Sequence, residues 1–88
     1  MARTNRLELR AAGPGDLAQL VALERKVFTS DRFSRRSLRA YIGSKTVAFL
    51  VLAQVGAQVG ALVGYGLVGF RKGSRIAWLY SLAVDPDF

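Results

Sequence analysis

The 88-residue sequence contains no cysteine and no histidine. Without cysteine, no disulfide and no thiolate metal site can hold so short a chain together. Without histidine there is no Ser-His-Asp triad, no imidazole ligand for zinc and no imidazole base at neutral pH. Acidic residues are scarce as well: 6 Asp and Glu stand against 13 Lys and Arg, for a net charge of +7. None of the acids lies between Asp31 and Asp85. The opening residues, MARTNRLELRAAG, hold no apolar core of the kind a secretory signal needs. The lack of cysteine is compatible with the reducing cytoplasm, and a cytoplasmic location is the expectation.

What the chain does have is apolar content. A hydrophobic fraction of 51% argues against disorder. A chain of this size buries only about 60–65% of its unfolded surface, so it makes one small domain or a piece of a larger one. The bases cluster at Arg32, Arg35, Arg36 and Arg39 and again at Arg71, Lys72 and Arg75. Such patches attract phosphates, nucleic acid or an acidic protein surface, or they simply keep a face solvated.

Leu7 to Ala11 alternates apolar and charged residues and predicts a first strand. Gly13-Pro14-Gly15 breaks it, and a helix follows from Pro14 or Asp16 to Phe28. Pro14 suits a first helical turn, and Asp16 lies where a carboxylate meets the positive helix end. Leu17, Leu20, Val21, Val27 and Phe28 repeat at helical spacing, with Glu24 in the middle of that stripe. A carboxylate there is either exposed or Arg-paired at the stripe's edge, or it is a functional acid facing a cleft. Ser34 is a good N-cap for a second helix, and Gly43 suits its end. Leu38, Tyr41 and Ile42 give this helix an apolar face, and Arg35, Arg36 and Arg39 a basic one.

Thr46 to Phe70 then runs without a charge. Its length and its Gly56, Gly60 and Gly64 spacing raise the question of a membrane span. Gln54 and Gln58 near the centre, the many glycines and the natural division of the run argue against it. It reads instead as a strand over Val47–Ala53, a loose turn over Gln54–Ala61 and a strand over Leu62–Phe70. Gly64, Gly66 and Gly69 match a dinucleotide-binding G-x-G-x-x-G, but they lie inside an apolar strand rather than between a strand and a helix. They read as marks of a bulge or a close backbone approach. Arg71–Arg75 reads as a hairpin turn.

The last stretch, Ile76 to Val84, is apolar on both alternate sets of residues, which predicts a strand covered on both sides. Asp85-Pro86 stops it. The fold class is therefore α+β: a β-α-α-β-β-β order, the last three strands an antiparallel meander packed by two helices.

That order and several strings resemble the N-terminal half of the GNAT superfamily of acyl-CoA N-acyltransferases, nearest the branch of ribosomal-protein N-terminal acetyltransferases. Leu9-Arg10-Ala11-Ala12 with Gly15-Asp16-Leu17 resembles the family's R-x-A-x-x-x-D-L opening. Leu23-Glu24 with Phe28, Ser34 to Leu38, and Leu62-Val63-Gly64-Tyr65 resemble its first helix, second helix and third strand. Tyr80 to Pro86 resembles the L-A-V-x-P that ends its fourth strand. The resemblance implies a partial GNAT-like fold over residues 1–88, ending before the family's pyrophosphate-binding loop. It implies acetyl transfer from acetyl-CoA to a primary amine of a protein or small molecule, with no metal and no membrane. Backbone groups at Leu82, Ala83 and Val84 would hold the pantetheine arm and thioester of acetyl-CoA. Glu24 would be the catalytic acid or base, and Phe33, Tyr65 and Tyr80 would face the acceptor. Without the phosphate loop the 88 residues are expected to be inactive or feeble alone, and to self-associate through Ile76–Val84 or need a C-terminal half. The alternative expectation is a non-catalytic basic module for nucleic acid or an acidic partner.

Overall fold

The computed structural model describes residues 6–55, 61–71 and 73–88. The first strand, β1, spans Arg6–Ala11. A single 3-10 turn at Pro14–Asp16 leads directly into helix α1, Leu17–Val27. Pro14 sits in the first turn, where its missing N–H costs nothing. Helix α2 covers Arg35–Tyr41; Ser34 caps it by accepting from the Ser37 amide at 3.1 Å, and Gly43 lies just past its end at φ +81°. Strands β2 (Val47–Val55), β3 (Ala61–Phe70) and β4 (Ala77–Val84) follow.

The strands form one antiparallel sheet in the order β1-β2-β3-β4. Both helices pack on one face of it. Leu17, Leu20 and Leu23 from α1 and Leu38 from α2 meet Phe49, Val51, Leu62, Tyr65, Leu67 and Ala83 from the sheet. The class is thus α+β, two helices on a four-stranded antiparallel sheet, as the order of elements predicts. The charge-free run does divide into two strands, and no helix among the described residues is long and apolar enough to cross a membrane. Part of the expected Gln54–Ala61 turn and Lys72 of the expected hairpin lie outside the described residues.

The glycine motif lies inside β3, where it is a packing device. A Cβ at Gly64 would stand 2.8 Å from the Ala83 carbonyl oxygen, and one at Gly69 would collide with the Tyr80 ring. The two neighbours need glycine to lie this close.

Two expectations for β4 require correction. Its outer edge is unpaired among the described residues, as expected, but Leu79, Leu82 and Val84 are exposed, so it is not covered on both faces. Alternation tells which residues share a face, but covering that face takes another element, and both helices lie on the other side. The strict alternation also fails. Leu67 pairs with Ser81 and Val68 with Leu79, which leaves Tyr80 as an extra, bulged residue. The bulge moves Tyr80 onto the helix side over Gly69, away from the face that carries Leu82 and Val84.

Candidate functional site

Helical spacing puts Glu24 on the same side of α1 as Leu17 and Leu20, so its carboxylate enters the layer between helix and sheet. It is 2% exposed. The expected exposed or Arg-paired Glu24 is therefore overturned: a polar cluster, without any arginine, holds the carboxylate. One oxygen accepts from the Phe33 amide at 2.8 Å. The other accepts from the Tyr65 hydroxyl at 2.5 Å. The Tyr65 oxygen also lies 3.0 Å from Ser81 Oγ on β4. A buried carboxylate without such partners would carry a desolvation cost of several kcal/mol.

Each partner is placed by a local feature. Tyr65 faces the helices because it stands in register with Val51 and Ala83, both core residues. Phe49 meets its ring edge-on, centroids 5.4 Å apart. The Phe33 amide is aimed by the loop after α1, where Asp31 adopts φ 56°, a turn that Asp tolerates better than most residues. The Phe33 ring then packs edge-on against Tyr41 at 5.4 Å. Burial, then the bond to Glu24, pushes the Tyr65 phenol above its ordinary range. Tyr65 therefore keeps its proton and serves as donor to Glu24.

The same alternation sets the backbone of β4. The Asp85 amide donates to the Val63 carbonyl at 2.7 Å, which fixes the phase of the ladder. Bonded and non-bonded residues alternate in an antiparallel pair. Ala83 therefore turns its N–H and C=O toward β3, while Leu82 and Val84 turn theirs to the open edge. No strand among the described residues pairs on that side. Beyond Val84 the chain is tied back to α1: Lys26 Nζ meets Asp85 at 2.9 Å and Asp87 at 2.8 Å. Both carboxylates lie on the turn that ends the strand, so the free edge is anchored where it stops.

On the uncovered face, Gly64 and Gly66 leave a trough of about 270 Å³ between leucines of β2 and Leu79, Leu82 and Val84 of β4. Its walls are almost wholly apolar side chains.

The structure thus joins Glu24, Phe33 and Tyr65 in one hydrogen-bonded group. It places Leu82 and Val84, but not Ala83, with backbone groups facing outward. Tyr80 lies apart from that group, its ring over Gly69 and 58% exposed. Sequence reasoning missed Ser81. The available signal was a lone hydroxyl in an apolar strand, two residues from Ala83 and hence on the same face. Among the described residues no three His, Cys, Asp or Glu side chains come together as metal ligands. Comparison with known proteins found no matching family model, no matching curated protein and no matching solved structure.

Proposed function

We propose that this chain supplies the cofactor strand and acceptor loop of an N-acyltransferase that moves acetyl from acetyl-CoA to a primary amine. The observation that carries the reading is the outward backbone of Leu82 and Val84 on an unpaired edge. A pantetheine arm is an extended chain with two amides. It can add to such an edge as a short strand would, amide to amide. The same edge offers an N–H to the thioester oxygen, where negative charge builds as the amine attacks. In the reaction the amine nitrogen bonds to the thioester carbon, the C–S bond breaks, the thiolate leaves and the amine loses a proton.

Glu24 has both oxygens engaged and is closed to solvent, so it does not touch the amine directly. It acts through the hydroxyls of Tyr65 and Ser81, which form a continuous chain from the carboxylate toward β4. Phe33, held by the same carboxylate, belongs to the loop that would meet the acceptor. The basic surface suits a phosphate-bearing substrate. On this reading the uncovered face is covered in the working enzyme by further chain or by a second copy, the edge at Leu82 and Val84 stays open for the pantetheine arm, and the 88 residues alone turn over feebly or not at all.

A fragment of the substrate tests the site without the phosphates. Titration of the ¹⁵N-labelled chain with S-acetyl-pantetheine is expected to shift the Leu82 and Val84 amides most, with smaller shifts at Ser81. Shifts confined to other elements, or none at millimolar ligand, would remove the proposed role of this edge.

A further inference from the structure

The end of the sheet where β3 turns into β4 carries a cluster that acyl transfer does not use. Trp78 and Tyr80 are both well exposed, at 42% and 58%. They stand on the same side of β4. Trp78 is paired with Gly69, and the bulge lays the Tyr80 ring over that same glycine. The Arg71 guanidinium lies 5.9 Å from the centre of the Trp78 ring. Thr46, Arg71, Trp78 and Tyr80 help line an open hollow of about 600 Å³. Arg75 lies in the turn at this same end. Neither Arg71 nor Arg75 has an ion-pair partner among the described residues, and no acid lies in the sequence between Asp31 and Asp85.

Two exposed flat rings are an unusual use of surface in a small domain, because each leaves a large apolar area in water. Beside unpaired arginines they make a particular combination. A phosphate meets a guanidinium, and an unstacked base meets an aromatic face that has no preference among bases. An acidic protein surface would satisfy the arginines and leave the rings idle. A duplex would hide its bases from them.

We infer that Trp78, Tyr80, Arg71 and Arg75 form a binding platform for single-stranded nucleic acid. The bases stack on the two rings, and the arginines hold the flanking phosphates.

Trp78 is the sole tryptophan in the sequence, so its fluorescence reports on the platform alone. A ten-nucleotide oligouridylate should quench Trp78 as it binds. Heparin, which has charge but no bases, should compete for the site without quenching. Arg71→Ala with Arg75→Ala should weaken binding at least fivefold and flatten the salt dependence by about 1.4 in log–log slope, as loss of two phosphate contacts on a single strand requires. Tyr80→Ala should weaken binding about fivefold or more and leave the salt slope unchanged. Replacing Arg35, Arg36 and Arg39 with alanine should leave the quench amplitude as it is. All of these positions are exposed, and circular dichroism checks that each variant is folded. Binding without quenching, equal quenching by heparin, or loss of the quench only in the Arg35–Arg36–Arg39 variant would overturn the platform.

Discussion

Leu67 and Leu82 are leucines on neighbouring strands, yet Leu67 is fully buried and Leu82 is 62% exposed. The contrast extends across the sheet. On the helix side Phe49, Val51, Tyr65, Leu67 and Ala83 are sealed by α1 and α2. On the other side Leu9, Leu79, Leu82 and Val84 stand in water around a glycine-floored trough. Residue type does not separate the two faces, since both are apolar. What separates them is polar chemistry: the covered face alone encloses a carboxylate, with every partner it needs. The covered face holds the fold, while the open face and the β4 edge have no covering element among the described residues.

Mutations at equivalent leucines test this contrast most strongly. Leu20→Ala or Leu67→Ala should cost about 2–5 kcal/mol in urea unfolding, from lost burial and the cavity left behind. Leu82→Lys should change stability by about 0.5 kcal/mol or less, and should reduce self-association in light scattering. Equal losses on both faces would mean that the open face is covered in solution.

Glu24 comes next. Glu24→Gln keeps the shape but replaces a carboxylate by a neutral amide. Its oxygen can still accept from the Phe33 N–H, while its NH₂ faces the Tyr65 oxygen and forces that hydroxyl to donate to Ser81 instead. Bonds to a charged acceptor give way to neutral ones, and a loss of about 1–2 kcal/mol is expected in the same unfolding measurement. Tyr65→Phe should lose about 1–3 kcal/mol, because it removes the donor from a buried carboxylate.

The two glycines of the trough differ in what surrounds them. Gly64→Ala meets the Ala83 carbonyl oxygen at 2.8 Å, and backbone cannot step aside cheaply, so a loss of about 1–3 kcal/mol is expected. Gly66→Ala meets only the end of the Leu82 side chain at 3.8 Å, ordinary contact, and should be neutral or slightly stabilising. Thermal melts of the pair would show whether the trough is set by backbone contact or only by the absence of side chains.

A smaller, pH-dependent effect is expected at the start of α1. The Arg10 guanidinium grips Asp16 through two bonds of 2.8 Å, and the Gly13 amide adds a third of the same length. The Arg10 bond, more than the opposing burial, holds the Asp16 carboxyl below its ordinary 3.8. A lowered folded value means that the stabilisation is complete above the unfolded pKa. It is lost as pH falls below about 3.8 and through the folded value. It should amount to about 1 kcal/mol. Asp16→Asn should remove that acid-dependent part of the stability curve and leave the rest.

The architecture was legible because it rests on local signals. Alternation at Leu7–Ala11, helical spacing from Leu17 to Phe28, the Ser34 cap and the break at Asp85-Pro86 each act within a few residues. Rejecting a dinucleotide site at Gly64–Gly69 also needed only the neighbours in sequence. The candidate site was less legible because it depends on pairing at a distance. Glu24 stood out as a carboxylate on an apolar stripe, but its burial depends on Tyr65, 41 residues away. Ser81 joins only through the register of β3 with β4. The Tyr80 bulge, which separates Tyr80 from Leu82 and Val84, has no marker in an otherwise regular apolar run.

The functional reading depends on one physical feature, an edge whose backbone groups at Leu82 and Val84 face open space. Amide hydrogen exchange at micromolar concentration reads it directly. Ala83 and Asp85 should be protected by β3, while Leu82 and Val84 between them exchange near the rate of unstructured chain. Equal protection at all four amides would show that the edge is already filled, and would rule out its proposed role in holding the pantetheine arm.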